Sequence, residues 1–281
     1  DHTFDLAGVA PGTYAISLMS FGGALRSFAR QIVEVGNSDL DDLVLTVMPS
    51  GTIRGQVHVE GTPPAGNAQT NLAQVHLMLS PASQGRMFSF AQSSVKADGS
   101  FVLENVTPGV YYPQAMNGPD GTYLKSIRYG QQEVLGKDLD LTQNTGGDLQ
   151  VVFSYGPAEV DGTVQAGQDA PTSPDANAQA PSASVILIPD TLNADGSGVQ
   201  SASANQNGVF SIKQVSPGHY RALALEQINW NQLQNPDVLK QLAAMGTEIE
   251  AKENDKKQIQ LKIIPAADIQ ELLARLGIDQ E

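Results

Sequence analysis

The sequence predicts an all-β protein built as a tandem array of β-sandwich modules. Three observations carry this. An eleven-residue pattern occurs three times, as FDLAGVAPGTY from Phe4 to Tyr14, FVLENVTPGVY from Phe101 to Tyr111 and FSIKQVSPGHY from Phe210 to Tyr220. Phe4 and Phe101 are 97 residues apart, and Phe101 and Phe210 are 109 apart, which is too long for a solenoid repeat and suits sandwich modules of about 100 residues. Between the copies, short alternating apolar runs are separated by turns drawn from 27 glycines and 16 prolines.

The repeated pattern itself reads as a β-hairpin. Phe101 and Leu103 alternate with Val102 and Glu104, the period of a half-buried strand. Thr107-Pro108-Gly109-Val110 then makes a corner. Proline presets φ at its second position, and glycine is expected to supply the positive φ of a type II turn at its third. The returning strand opens on an aromatic, and in the first copy Tyr14, Ile16 and Leu18 share one face.

The remaining elements follow in order. The first module has its hairpin and then strands over Phe28–Val35 and Leu43–Val47, and Ser50-Gly51 begins the next module. The second has strands over Thr52–Glu60, with Ile53, Val57 and Val59 inward, around Val75, Leu77 and Leu79, and over Phe88–Lys96. After its hairpin come Tyr123–Val134 and Leu149–Tyr155. The third begins near Glu159, continues with Ser184–Ile188, Val199–Ala204 and its hairpin, and ends with Gln258–Ile264. The expected organisation is a partial module over 1–50, carrying only the second half of a sandwich, full modules over 51–157 and 158–265, and an amphipathic helix over 266–281.

The third module carries an insert. Asn235 is a good N-cap, Pro236 suits the first helical position, and Asp237 favours the helix N-terminus. Val238, Leu239, Leu242 and Met245 share one face, which predicts a helix over 235–246 closed by Gly246 in the left-handed region. In the C-terminal helix Ile269, Leu272, Leu273 and Leu276 form the apolar stripe and Gly277 ends it. That stripe covers either its own domain or a neighbouring subunit. Ala166–Ala183 and Gly61–Asn71 have loop composition.

The order SGTIRGQVHVEG, then ADGSFVLENVTPGVYY, then a closing alternating strand resembles the carboxypeptidase regulatory-like domains. These are immunoglobulin-like sandwiches of transthyretin-like or Cna-B-like type, common in exported bacterial proteins and in large acidobacterial surface proteins. The resemblance covers nearly the whole chain. It implies an extracellular, periplasmic or cell-surface location in a bacterium, and a role in stalks, adhesin repeats or carbohydrate-associated modules. In carboxypeptidases the module is an appendage without the active site, and the zinc ligands of the peptidase domain have no counterpart here. An aromatic followed by a DPxFL helix occurs in C-terminal modules of the acidobacterial proteins, similar to Trp230 and the insert.

Composition narrows the function classes. Thirty acidic against 16 basic residues give a net charge of −14, which argues against nucleic acid and against an anionic membrane surface. There is no cysteine, so disulfides and thiol catalysis are excluded. No apolar run approaches the ~20 residues of a membrane span. The opening DHTFDL shows neither signal peptide nor initiator Met and predicts a processed or trimmed product.

No catalytic motif stands out, neither G-x-S-x-G, H-E-x-x-H nor a P-loop, and no cofactor is expected. His58 and His76 fall on the outward parity of strands expected to be neighbours, but they lack a third ligand. DTLNADGSG (Asp190–Gly198) lacks the acidic spacing of a calcium loop, and Ser38–Asp42 and Gly136–Asp140 read as solvated acidic turns. Two functional residue sets remain. Phe4, Leu6, Tyr14 and Ile16 are core residues that a half-sandwich leaves exposed, together with open strand edges. They predict completion by strands from residues lost from the chain or from another subunit, in a non-enzymatic surface stalk or filament subunit that associates with itself or with other surface proteins. The alternative is a carbohydrate- or surface-binding array with Trp230, Tyr112, Tyr123 or Tyr129 as stacking platforms. For Trp230 the simpler reading is a plug between helix and sheet.

Overall fold

The computed structural model describes residues 3–19, 27–63, 70–82, 91–165, 183–191, 198–227, 229 and 232–278. Its first strands are β1 (Gly12–Met19), β2 (Ser27–Val35) and the two-residue β3 (Met48–Pro49), joined in one antiparallel sheet in that order. The second repeat comprises β4 (Gly51–Glu60), β5 (His76–Pro81), β6 (Ala91–Ser94), β7 (Ser100–Val106), β8 (Val110–Met116), β9 (Thr122–Tyr129), β10 (Gln132–Glu133), β11 (Leu139–Asp140) and β12 (Gly147–Tyr155). These form two sheets, ordered β10-β9-β12-β4-β7 and β11-β8-β5-β6. Alternation dictates what lies between them. Ile53, Val57 and Val151 of one sheet meet Leu77, Leu79 and Tyr111 of the other in one buried core.

The third repeat comprises β13 (Ala158–Gln165), β14 (Ser184–Pro189), β15 (Gln200–Ser203), β16 (Val209–Val215), β17 (Gly218–Leu225), helix α1 (Pro236–Met245), β18 (Thr247–Ala251), β19 (Lys256–Ile264) and helix α2 (Ala266–Arg275). Its strand order is β15-β14-β17-β19-β13-β16, with β18 added on β17. Here β14 and β17 are buried on both faces. Val185 and Leu187 enter the sandwich core, while Ile186, Ile188, Leu223 and Leu225 point to the other side. There they meet Val238, Leu239 and Leu242 of α1 and Ile269 and Leu273 of α2. Both amphipathic helices therefore cover their own repeat, and the apolar runs SVILIP and RALAL record two faces being covered. The Asn235 side chain accepts from the Asp237 N–H as expected, whereas Gly246 is extended at φ −79 rather than left-handed, because the chain runs directly into β18.

Two features set how the repeats follow one another. The first and last strands of each complete repeat are parallel neighbours, β4 beside β12 and β13 beside β19. A repeat therefore starts at one end and finishes at the other. The connection is short: only Gly156 and Pro157 lie between β12 and β13. A turn of the third repeat packs there, with Asn254 N–H donating to Gly156 O at 2.9 Å and the Tyr123 hydroxyl donating to Glu253 Oε1 at 2.9 Å. Burial, then the neighbouring Glu253 acceptor, pushes the Tyr123 phenol above its ordinary pKa.

Candidate functional site

The repeated hairpin holds the same local geometry in all three copies, and its special backbone position is not the expected one. None of the corner glycines Gly12, Gly109 and Gly218 has positive φ. The left-handed residue is the fifth of the pattern: Gly8 at φ 74, Asn105 at φ 57 and Gln214 at φ 58. In the complete repeats this residue makes a β-bulge. Gly51 pairs with Val106 and Ile53 with Leu103, so Glu104 and Asn105 together face Thr52. Ala158 pairs with Val215 and Val160 with Ile212, so Lys213 and Gln214 face Glu159. The extra residue bends and twists the strand into the corner.

The aromatics at the two ends of the pattern have separate tasks. The closing tyrosine folds back over the corner and donates to the carbonyl four residues before it, at 2.9 Å for Tyr14 to Ala10 O and 2.7 Å for both Tyr111 to Thr107 O and Tyr220 to Ser216 O. This is a tyrosine corner, a device that ties a turn to the core of a sandwich. Burial pushes the Tyr220 phenol up to about 12, against the smaller opposing effect of its Ser216 bond. The opening phenylalanine covers a glycine of the first strand. Phe101 pairs with Gly55, and Phe210 with Gly162. A Cβ at Gly55 would lie 2.1 Å from Phe101 Cζ and 2.2 Å from Leu149 O, and one at Gly162 would lie 2.1 Å from Ile259 O. No side chain fits there.

In the first repeat these local devices persist without their surroundings. Phe4, Leu6 and Val9 are 45%, 59% and 39% exposed, whereas Phe101, Leu103 and Val106, their equivalents, are at most 2% exposed. Tyr14 is 38% exposed and Ile16 is half-buried. Residues 3–10 form no strand despite the left-handed Gly8. Leu43–Val47, expected as a strand, is not one either. Leu43, Leu45 and Val47 are placed like Leu149, Val151 and Phe153, each set beginning eight residues after the residue that faces the corner glycine, Val35 or Leu141. The second set is buried in β12, while Val47 is 49% exposed. The reason is common to both segments. In the complete repeats the first strand pairs antiparallel with the hairpin and parallel with the last strand, and no described residue takes that place beside 4–9 and 43–47. Of the four residues singled out from sequence, Phe4, Leu6 and Tyr14 are exposed and Ile16 is half-buried, and sequence reading missed Leu43–Val47 as the facing side. Aligning the repeats on their corner glycines would have found it.

Other expected sites are less coherent. His58 lies on β4 and His76 on β5, strands of different sheets, so they are not neighbours as expected. His76 lies 3.3 Å from Ser94 Oγ instead. Asp140 is exposed; the Thr142 side chain and then the Thr142 N–H, at 2.8 Å, donate to its carboxylate and lower its pKa. Among the described residues no group of three histidine or acidic side chains is spaced to hold a metal ion. Tyr123 is 7% exposed and offers no open ring face, Tyr129 donates to Gly146 O at 2.5 Å, and Tyr112 is half-buried. Trp230 and most of Asp190–Gly198 lie outside the described residues, as do most of the two loops. No described helix is long and apolar enough to cross a membrane.

No protein-family model matches the sequence, and no curated protein matches it. Among solved structures the chain is similar to the TIE protein of Bacillus anthracis, at 14% identity and a TM-score of 0.26, over 92% of this chain and 44% of that one. The chain thus spans less than half the length of that protein. It is also similar to GBS52, the minor pilin of Streptococcus agalactiae, at 9% identity and a TM-score of 0.31, over 76% of this chain and 95% of that one. A third similarity is to a streptococcal ancillary pilin, at 11% identity and a TM-score of 0.28, over 90% of this chain and 76% of that one.

Proposed function

We propose that the chain is a non-enzymatic spacer of a bacterial surface structure, a tandem array of carboxypeptidase regulatory-like sandwiches whose first repeat accepts a β-strand that the described residues do not supply. Module boundaries near residues 50 and 157 belong to this reading. Two physical properties support it. Parallel first and last strands put the ends of each complete repeat at opposite poles, and a two-residue connection leaves little slack between the second and third. Such modules extend a chain in one direction, as a stalk requires. The observation that carries the acceptor role is the contrast in burial: the same apolar positions are buried in the later hairpins and open in the first. Unpaired edges beside open apolar positions are the surface that strand addition uses.

Hydrogen exchange on the chain, combined with light scattering after size exclusion at micromolar concentration, tests this. Residues 4–9 and 43–47 should exchange far faster than 101–106 and 149–153 unless the chain has associated. A monomer in which all four segments are equally protected sinks the acceptor role.

A further inference from the structure

Asparagine followed by glycine is a chemically reactive pair. The glycine backbone nitrogen can close on the asparagine side-chain carbon, and a residue without Cβ leaves that approach open. The sequence holds two such pairs, and the fold treats them differently. Asn117–Gly118 lies in the connection between β8 and β9, and Asn207–Gly208 in the turn between β15 and β16. Both asparagines are exposed.

The second pair is tied down at its nitrogen. Gly208 N–H donates to Asn205 O at 2.8 Å, and Asn207 N–H donates to Asn205 Oδ1 at 2.9 Å. Gly208 O accepts from Val164 N–H at 2.8 Å, so β13 holds the turn as well. For Gly208 N to reach Asn207 Cγ, the peptide between them must turn and give up the bond to Asn205 O.

The first pair has no such tie. Among the described residues nothing accepts from the Gly118 N–H, and nothing bonds the Asn117 side chain. Asn117 is left-handed at φ 55, a conformation that asparagine bears at some cost. What is fixed is the far side of Gly118. Its carbonyl accepts from Gln74 Nε2 at 3.0 Å, and a Cβ on it would run into the Phe153 ring. That ring explains why the position is glycine, and the same glycine gives Asn117 a reactive neighbour. Gly118 is therefore held in place with its N–H unengaged, while the exposed Asn117 side chain is free to swing onto it.

We propose that Asn117 is a site of spontaneous deamidation in the folded chain, and that the turn around Gly208 protects Asn207. Gly118 N loses its proton to solvent hydroxide and attacks Asn117 Cγ. The N–Cγ bond forms, the Cγ–Nδ2 bond breaks, and Nδ2 takes a proton from water and leaves as ammonia. The product is a cyclic succinimide, which water opens. Cleavage at Cγ gives aspartate. Cleavage at the Asn117 backbone carbonyl gives isoaspartate, in which the chain continues through the side chain. Either product adds a negative charge, and isoaspartate also lengthens the backbone by a methylene. Both changes fall in the connection that leads through Thr122 into Tyr123, whose hydroxyl bonds Glu253 of the third repeat.

The full chain is incubated in mildly alkaline buffer, folded and in concentrated urea, then digested for peptide mass mapping. In the folded chain the fragment holding Asn117 should gain about 1 Da, and become a substrate for an isoaspartyl methyltransferase, at least about tenfold faster than the fragment holding Asn207. In urea the two should convert at comparable rates, because the bonds that distinguish them are gone. Asn117→Gly keeps the left-handed backbone and should abolish the fast conversion. Equal rates in the folded chain overturn the inference. So does an Asn117 that stays unchanged when folded yet converts in urea. A difference that persists in urea overturns it too, since it would then belong to the local sequence and not to the fold.

Discussion

The hairpin patterns of the first and second repeats share Phe, Leu, Val, Pro, Gly and Tyr at the same six positions, yet Phe101 is 2% exposed and Phe4 is 45% exposed. Both hairpins have the left-handed fifth residue and the tyrosine-to-carbonyl bond. Only the second has a strand leading into its corner. The difference separates two levels of folding. Corner geometry is set by five or six adjacent residues and forms wherever they occur. Strand geometry needs the partner across the ladder, because extended backbone has no internal hydrogen bonds. Phe4–Val9 and Leu43–Val47 have strand-like sequences, and among the described residues no strand pairs with either.

The sharpest way to break the comparison is to remove the aromatic in each repeat. Phe101→Ala and Phe210→Ala should each cost about 3–5 kcal/mol in their own repeat, while Phe4→Ala should fall within about 0.5 kcal/mol. Gly55→Ala and Gly162→Ala should come next at about 1–3 kcal/mol, since a methyl meets both a ring and a carbonyl. Exchange rates read segment by segment under mild urea assign each loss to its repeat, and equal losses for Phe4 and Phe101 would falsify the contrast.

The corner tyrosines give a smaller effect with a pH signature. Tyr220→Phe should cost about 0.5–1.5 kcal/mol by removing the bond to Ser216 O. The folded-state pKa of Tyr220 is raised to about 12, above the ordinary phenol value of about 10. The neutral phenol is therefore favoured in the fold. Its contribution is fully present below about pH 10 and is lost as pH rises through about 12. Alkaline melts of the third repeat should lose this dependence in Tyr220→Phe.

The smallest effect concerns the bulge. Gln214 has no preference for positive φ, whereas Gly8 in the first repeat bears it freely. Gln214→Gly should stabilise the third repeat by about 1 kcal/mol and Gln214→Asn by somewhat less. Chemical denaturation that shows destabilisation by both would mean that the Gln214 side chain contributes contacts outweighing its backbone strain.

Much of this was legible in the sequence because it is local. The alternation in β4 and β7, the Asn235 cap, both helices and the corner aromatics depend on neighbours within a few residues. What was missed depends on longer range. TEIEA is assigned no strand from sequence, although Ile249 and Ala251 alternate, because only the pairing with β17 makes it β18. Positive φ was assigned to the glycine after proline, the usual turn chemistry, whereas the bulge opposite the first strand demands it at Asn105 and Gln214. Tyr123–Val134, expected as one strand, divides into β9 and β10, which fold back on one another about Gly130. Phe88–Lys96 narrows to Ala91–Ser94 within the described residues. The fate of Leu43–Val47 was not local at all. Its own residues are strand-like, and its state is decided by a position some forty residues before it, beside Phe4.

The parallel placement of first and last strands also determines how a repeat bears tension. A pull on Gly51 and Tyr155 loads β4 and β12 in opposite directions along their length. The hydrogen bonds of the eight-residue register then resist together in shear rather than parting one after another. The β13–β19 pair does the same over its seven residues. In the first repeat the described strands hold no such pair. A strand seated in the gap between 4–9 and 43–47, parallel to 43–47, would supply a third mechanical clamp of the same kind.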